Sequence, residues 1–493
     1  MKARNTRLVG RNVIAASLLS LIVMSNASSA HASGVTISAP SNGATVSGTV
    51  SIVTSISSGV TWVDIDIDAE LFAASPPYTF SWDTRGVGNG SHAIKAYAFD
   101  SSGRQVGTAS ISVNVNNASA SAAGAHSYYV APGGRDSNSG TSASTPWLTL
   151  NRVNSANLQP GDIVYFRAGG MWRGTLEPSR GGIAGAPISF ATYGSGPRAV
   201  ISGSDVVSGW TLDTGYVYSA PLSKSPGNVF VDGGPGWGLT LASSISSMKA
   251  GTWYWNSGAA RLYAWLPDNS NPARHTMEAA TRTFGFYASS GTCGDISYIT
   301  VNGLTFQRTA GFGIYFHCFS GPSPLAGVII ENNMVRQTGT GTVDRGQYYN
   351  GIMFLQEPPY ANAAPLILNN AVSYAGGHGN GINVQGANDA VIKGNQVSYW
   401  NHNGIDVKDG NNVIVDGNLM HDRLTGGAGL YFETSQKTLQ RNIIYRASNG
   451  VQIAMSSDAK VYNNSIYDCP TGIYYGPNGS SIGVINNASM ARR

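Results

Sequence analysis

The chain has 493 residues, only 11% of them charged, with 62 glycines and 30 Lys+Arg against 26 Asp+Glu. Lys2, Arg4, Arg7 and Arg11 fall in residues 1–32, which hold no acidic residue, so the remainder carries 26 charges of each sign and is formally neutral. That balance excludes the basic footprint of a nucleic-acid binder and a polybasic membrane patch.

Residues 1–32 read as a signal peptide. The four basic residues precede an apolar stretch, Val13 to Met24, of signal-core length and too short to span a bilayer. Ala30-His31-Ala32 offers small residues where a signal peptidase reads them, which places cleavage after Ala32. No cysteine follows the apolar core to carry a lipid, and no later run of about 18 apolar residues exists. The protein is therefore expected to be secreted, extracellular or periplasmic, without membrane insertion.

Residues 34–116 read as a small all-β domain. Strand-like runs at Val35–Ser38, Val50–Ser55, Val60–Ile67, Tyr78–Trp82, His92–Phe99 and Ala109–Val115 alternate with turn signals such as Ser41-Asn42-Gly43 and Gly88-Asn89-Gly90. Short strands at that spacing predict a sandwich. The stretch Pro77–Thr84, then Asn89–His92, then Ala96–Asp100 resembles the bacterial immunoglobulin-like modules attached to secreted carbohydrate-active enzymes. Without cysteine, Trp82 and the aliphatic residues must form its core, and a spacer role is expected. Residues 117–126, small and polar, read as a flexible linker.

The second domain is placed at residues 127–493. Tyr128–Gly134, Ser139-Gly140-Thr141, Pro146-Trp147 and Leu158–Asp162 resemble the entry of pectate-lyase-like β-helices. Thr145-Pro146-Trp147 is expected to open a short helix with Leu148, Leu150 and Val153 on one side, capping the end of the sheet stack. Gly251–Trp255 and Arg261–Asp268 read as a hairpin, an insertion that recurs in the superfamily before the regular coils. Three cysteines (Cys293, Cys318, Cys469) leave at least one unpaired in a monomer. A Cys293–Cys318 bridge and buried single thiols both stay open.

The repeat is clearest in residues 301–487. Gly followed by an aliphatic residue recurs at Gly313, Gly351, Gly381, Gly404, Gly429, Gly450 and Gly472. Out of phase with it run Asn333, Asn370, Asn395, Asn418, Asn442, Asn464 and Asn487, the last five intervals being 25, 23, 24, 22 and 23 residues. A coil of three short strands and three turns needs about that many residues, and such coils stack at about 4.8 Å. The Asn residues are expected to form an interior ladder, tolerating left-handed backbone and pairing with the next coil's amide. The fold class is thus all-β: a right-handed parallel β-helix, a solenoid, preceded by a small immunoglobulin-like β-sandwich.

Period-two alternation sorts the strand after each Gly. One outward row is Tyr315, Met353, Asn383, Asp406, Tyr431, Gln452, Tyr474; the other is His317, Leu355, Gln385, Lys408, Glu433, Ala454, Gly476. Charge is scarce elsewhere, so Asp406, Lys408 and Glu433 are the candidate catalytic residues. Asn383, Gln385, Tyr431 and the loop residues His378, Trp400, His402 and Arg423 are the candidate substrate contacts. Such a row suits an extended extracellular polysaccharide, with Trp400 and Tyr431 stacking on sugar rings and cations meeting uronate carboxylates.

Three reactions fit. β-Elimination of a uronate polysaccharide comes first, with Lys408 as base and Arg423 or His402 at the carboxylate. C5 epimerisation is second: Gly404-Ile405-Asp406 with Asn418 and His421 resembles alginate epimerases, whose Asp-Pro-His string is absent. Hydrolysis by Asp406 and Glu433 is third; Gly377-His378-Gly379 resembles a polygalacturonase string, but the paired aspartates expected one coil earlier are missing. A non-catalytic glycan-binding or adhesin-like β-helix is the alternative, with Lys408 and Glu433 as a surface ion pair. No cofactor is expected; calcium stays open, without a ligand cluster to support it. A monomer is expected. No capping segment follows Asn487, so the last coil is expected to be covered by something else or the sequence to be a truncated form.

Overall fold

The computed structural model describes residues 34–47, 49–68, 70–74, 78–84, 90–100, 104–116, 125–234, 236, 238–319, 324–339, 349–358, 363–433, 437–455, 458–476 and 482–490. The signal-peptide reading and most of the linker reading lie outside the described residues.

The N-terminal unit is mostly antiparallel, with Thr45–Val46 running parallel to its partner Gln105–Val115 among the described residues. Val35–Ala39 pairs with Thr49–Ile56, and Trp62–Ile67 pairs with both Glu70–Ala74 and Gly90–Phe99. Strand residues with inward alternation (Ile52, Val63, Ile65, Ile94, Ala96, Ala98, Val113) bury together with Trp82, the cysteine-free core the sequence calls for. Every expected strand is present, and Thr45–Val46 and Glu70–Ala74 add two that the sequence reading lacked.

The second unit is a stack of parallel strands in three sheets. Among the described residues these have eleven, ten and eight strands. Each regular coil contributes one strand to each, in the order eight-, eleven-, ten-stranded sheet. In one coil these are Ile405–Lys408, Val413–Asp416 and Leu419–His421. One continuous apolar core fills the interior, from Val130 to Cys469. Among the described residues no helix is long and apolar enough to cross a membrane.

The two sequence marks have separate physical causes. The Asn row sits between the eleven- and ten-stranded sheets. Asn395 Oδ1 accepts from the backbone and side-chain nitrogens of Asn370 at 2.9 and 3.0 Å, while its own Nδ2 donates to Asn418 Oδ1 at 2.9 Å and to Ile367 O at 2.8 Å. The pattern runs from Asn333 to Asn487. The left-handed backbone lies one residue earlier than expected, at Asn332, Asn369, Gly394, Gly417, Arg441, Asn463 and Asn486. The preceding residue makes the corner, and the ladder Asn satisfies the backbone groups that the corner exposes. The Gly row has no such backbone need. A Cβ at Gly351 would stand 2.4 Å from Val372 Cγ1 and 2.6 Å from the carbonyl oxygen of Gly381. These glycines let the ten-stranded sheet's inward side chains and the next coil's backbone approach.

Two differences concern the N-terminal coils. The short helix spans Leu150–Asn154, capped by Thr149, whose hydroxyl accepts from Arg152 N at 3.1 Å. It starts later than expected because Asp136 holds the backbone of Leu148 and Thr149; Leu148 is consequently exposed while Leu150 and Val153 are buried. The expected hairpin pairs Thr252–Asn256 with Arg261–Trp265, inside an insertion that has its own core around Trp210, Trp253 and Leu262. Glu278 ties this insertion to the coils, accepting from Arg173 at 2.6 Å and from Arg308. Cys293 and Cys318 form a disulfide 25 residues apart, and Cys469 is free and buried.

Candidate functional site

The outer face of the eight-stranded sheet carries both expected rows. Register pairing runs Tyr315, Met353, Asn383, Asp406, Tyr431, Gln452, Tyr474 in one and His317, Leu355, Gln385, Lys408, Glu433 in the other. Ile405 and Val407 point inward and are fully buried.

Asp406 is the centre of the cluster. It faces outward yet has no exposed surface. Its Oδ2 accepts from Asn403 Nδ2 at 3.2 Å, and its Oδ1, like Asn383 Oδ1 beside it, is buried without a hydrogen-bond partner. Burial pushes its carboxyl up to about 6, against the opposing pull of the Lys408 ammonium. Lys408 Nζ lies 3.4 Å from Glu433 Oε2 and over the ring of Tyr431 at 5.5 Å. Burial works to lower the Lys408 pKa, but Asp406 and Glu433 together outweigh it and raise it. The expectation that Lys408 acts as a neutral base therefore meets an electrostatic obstacle: the carboxylates keep its proton on. Burial also raises Tyr431, which stays a neutral phenol.

A second Asn ladder supports the site. Asn380 N donates to Asn350 Oδ1 at 2.8 Å, Asn403 N to Asn380 Oδ1 at 3.0 Å, and Ala428 N to Asn403 Oδ1 at 3.0 Å. These asparagines stand directly before Gly351, Gly381, Gly404 and were missed; the Asn-Gly dipeptide repeated in three coils was the signal. His402 Nδ1 lies 3.0 Å from Asn380 Oδ1. That oxygen can only accept, whereas Asn403 Nδ2, 3.1 Å from the same Nδ1, can only donate, so the two contacts fit either tautomer of the ring. Burial, then His378 and Lys408, hold His402 down at about 4, so it is neutral near pH 7. The rings of His378 and His402 are 4.6 Å apart.

Gln385 reaches Asp409 Oδ2 at 3.1 Å. Lys437, not singled out in the sequence, is 1% exposed, donates to Glu433 O at 2.6 Å and is lowered to about 8 by burial. No local pattern marks it, because its strand position is otherwise an inward apolar one.

Two expected contacts are not in the cluster. Trp400 is fully buried in the apolar core and cannot stack on a sugar. Tyr399 adopts a left-handed conformation, φ 55°, which breaks the period-two alternation and turns Trp400 inward. Arg423 bonds to Ser448, one coil further on. Among the described residues no group of three or more His, Cys, Asp or Glu side chains is placed to hold a metal ion. A concavity of about 440 Å³ near Ala131, Arg167 and Gly170 lies at the N-terminal coils. It lacks an acid–base pair, so the register-paired cluster is the better candidate.

Residues 360–489 match the model of the right-handed beta helix region, and residues 34–96 that of the bacterial Ig domain. The chain is thus a right-handed parallel β-helix protein with an N-terminal bacterial immunoglobulin-like module. No curated protein matches the sequence. Among solved structures, XylC in complex with xylose is 15% identical, with 71% of this chain and 69% of that chain covered and a TM-score of 0.51. A glycoside hydrolase is 12% identical, covering 74% and 97%, TM-score 0.47. A GH136 lacto-N-biosidase from Eubacterium ramulus is 15% identical, covering 74% and 68%, TM-score 0.42. At these identities the likeness concerns the fold alone.

Proposed function

We propose that this chain is an exported carbohydrate-active protein that cleaves an acidic, uronate-containing polysaccharide by β-elimination on the outer face of the eight-stranded sheet. The observation that carries the reading is a fixed cation beside a neutral imidazole: Lys408, kept charged by its carboxylates, and His402, kept neutral by burial. Elimination needs that pairing. Lys408 neutralises the uronate carboxylate, which acidifies C5–H. The neutral His402 imidazole, in the tautomer that leaves its substrate-facing nitrogen unprotonated, takes the proton, the C4–O bond breaks, a C4=C5 double bond forms, and the Tyr431 hydroxyl protonates the departing oxygen. A weak base at about 4 gains strength when the substrate carboxylate offsets Lys408, so binding itself readies the imidazole. Lys408 thus moves from base to carboxylate partner.

Hydrolysis is the second reading, favoured by the raised pKa of Asp406. Asp406 and Glu433 are diagonal neighbours on adjacent strands, their backbone positions about 7–8 Å apart by sheet geometry, close enough for two carboxyl groups to flank one glycosidic bond. It requires Asp406 to become accessible. One experiment separates the readings: the protein is incubated with alginate, pectate and glycosaminoglycans while ultraviolet absorbance of unsaturated uronate and reducing ends are both followed. Elimination raises both, and Lys408→Ala lowers the rate by about 100-fold or more while Lys408→Arg retains part of it. Reducing ends without absorbance establish hydrolysis; neither signal on any glycan leaves C5 epimerisation or binding alone.

A further inference from the structure

Two coils before Asn383 on the same outer face lies a group that the proposed reaction does not use. Tyr315 Oη is 2.9 Å from His317 Nδ1, and His317 Nε2 is 3.4 Å from Glu357 Oε1. The carboxylate can only accept, so Nε2 carries the proton, Nδ1 accepts, and the Tyr315 hydroxyl donates inward. His317 is 7% exposed, whereas the Glu357 side chain is 45% exposed. Phe319 is 51% exposed, its ring 4.0 Å from that of His317. The other rings nearby are committed to one another: Tyr287 and Tyr315 stack at 5.8 Å with planes 6° apart, and Phe284 stacks on Phe312 at 5.6 Å. Stacked rings turn their faces along the solenoid and only their edges outward. Phe319 is the ring with a face to offer. Beside it stand an exposed carboxylate with acceptor oxygens to spare and a fixed phenol oxygen. Between this group and Asn383 run Met353 and Leu355, an apolar floor, and two coils span roughly 10 Å.

We propose that Phe319, Glu357 and Tyr315, with His317 as the positioning residue between them, form a separate subsite for a neutral pyranose. The apolar face of the ring lies on Phe319 and its hydroxyls donate to Glu357 and Tyr315. The charge within the group is the Glu357 carboxylate, which repels a uronate there, while burial lowers the His317 pKa and keeps the imidazole from cancelling it. On the uronate reading, the polarity along this face is therefore opposite at the two clusters: anion-accepting at Lys408, anion-rejecting at Glu357. Taken together with the uronate reading of the Lys408 cluster, on which this part rests, the substrate class is a mixed polysaccharide in which a neutral sugar lies a few rings from the uronate.

The test is calorimetric titration of the full chain with three probes: a neutral xylo-oligosaccharide, an oligoguluronate, and a xylo-oligosaccharide bearing one glucuronate. The variants are Glu357→Gln and Phe319→Ala, both at exposed positions where folding is not at stake, and Lys408→Ala. The expected result is weaker binding of the neutral and mixed probes by about tenfold in either subsite variant, with oligoguluronate unchanged. Lys408→Ala should weaken oligoguluronate and the mixed probe and spare the neutral one. Neutral binding that is absent, or that survives both subsite variants, overturns the subsite. If the neutral probe behaves as expected and oligoguluronate does not bind, the subsite stands and the uronate reading falls.

Discussion

At the scale of single residues, Asp406 shows what the site costs the fold. Its carboxyl keeps a proton up to about 6 in the folded chain against an ordinary 3.8. Below 3.8 both states are protonated and the group contributes nothing. Between 3.8 and 6 the unfolded chain releases the proton while the folded chain holds it, so stability falls as pH rises through that window, and a fixed penalty remains above it. A shift of about two units corresponds to about 3 kcal/mol. Asp406→Asn, which keeps the shape and cannot ionise, is expected to raise the denaturant midpoint near neutral pH and to be neutral below pH 3.8. A gain of the same size in both conditions would mean that the charge is not its source. Much of this cluster was legible from alternation alone, because Asn383, Gln385, Asp406, Lys408, Tyr431 and Glu433 sit on regular strands where period two holds. Trp400, read as a loop residue, instead ends the strand Gln396–Trp400, where the left-handed Tyr399 before it turns it inward, and nothing in the residue type of Tyr399 announces that. Lys437 was not legible at all: its burial follows from its contact with the Glu433 carbonyl.

At the scale of elements, the Gly and Asn marks are both structural, and they should respond differently to substitution. Gly351→Ala places a methyl against the Gly381 carbonyl and Val372, neither of which can yield without moving the next coil. It should lose about 1–3 kcal/mol. Gly417 is the contrary case. Its φ is +63°, nothing stands within 4 Å of a Cβ there, and Asn332, Asn369, Asn463 and Asn486 hold the equivalent corner in other coils. Gly417→Asn should stay within about 0.5 kcal/mol of the parent. Urea denaturation of the two variants side by side is the measurement, and equal losses would refute the distinction between close approach and backbone conformation. The coils after residue 301 were readable because both marks repeat at a nearly constant interval. The first coils were not, since an insertion with its own antiparallel sheets separates Ser202 from Phe284 and breaks the period.

At the scale of the whole molecule, the chain is read as two folded units with a small, polar connection over residues 117–126. Brief proteolysis after removal of residues 1–32 should cut between Asn117 and His126 and leave two resistant fragments. Early cleavage within residues 301–487 would contradict a continuous core running through the solenoid. Each coil in that solenoid contacts its neighbours and brings its own Gly and Asn marks. A duplication or loss of one complete coil therefore leaves every hydrogen-bonding role filled, whereas a fraction of a coil would turn the outward rows inside. The two residues that each strand of the eight-stranded sheet presents to solvent behave as one word in a line of text. Gene duplication can lengthen the sentence or move the Glu357 word away from the Lys408 word by whole steps, so descendants of such a chain can acquire new glycans without having to invent a new fold.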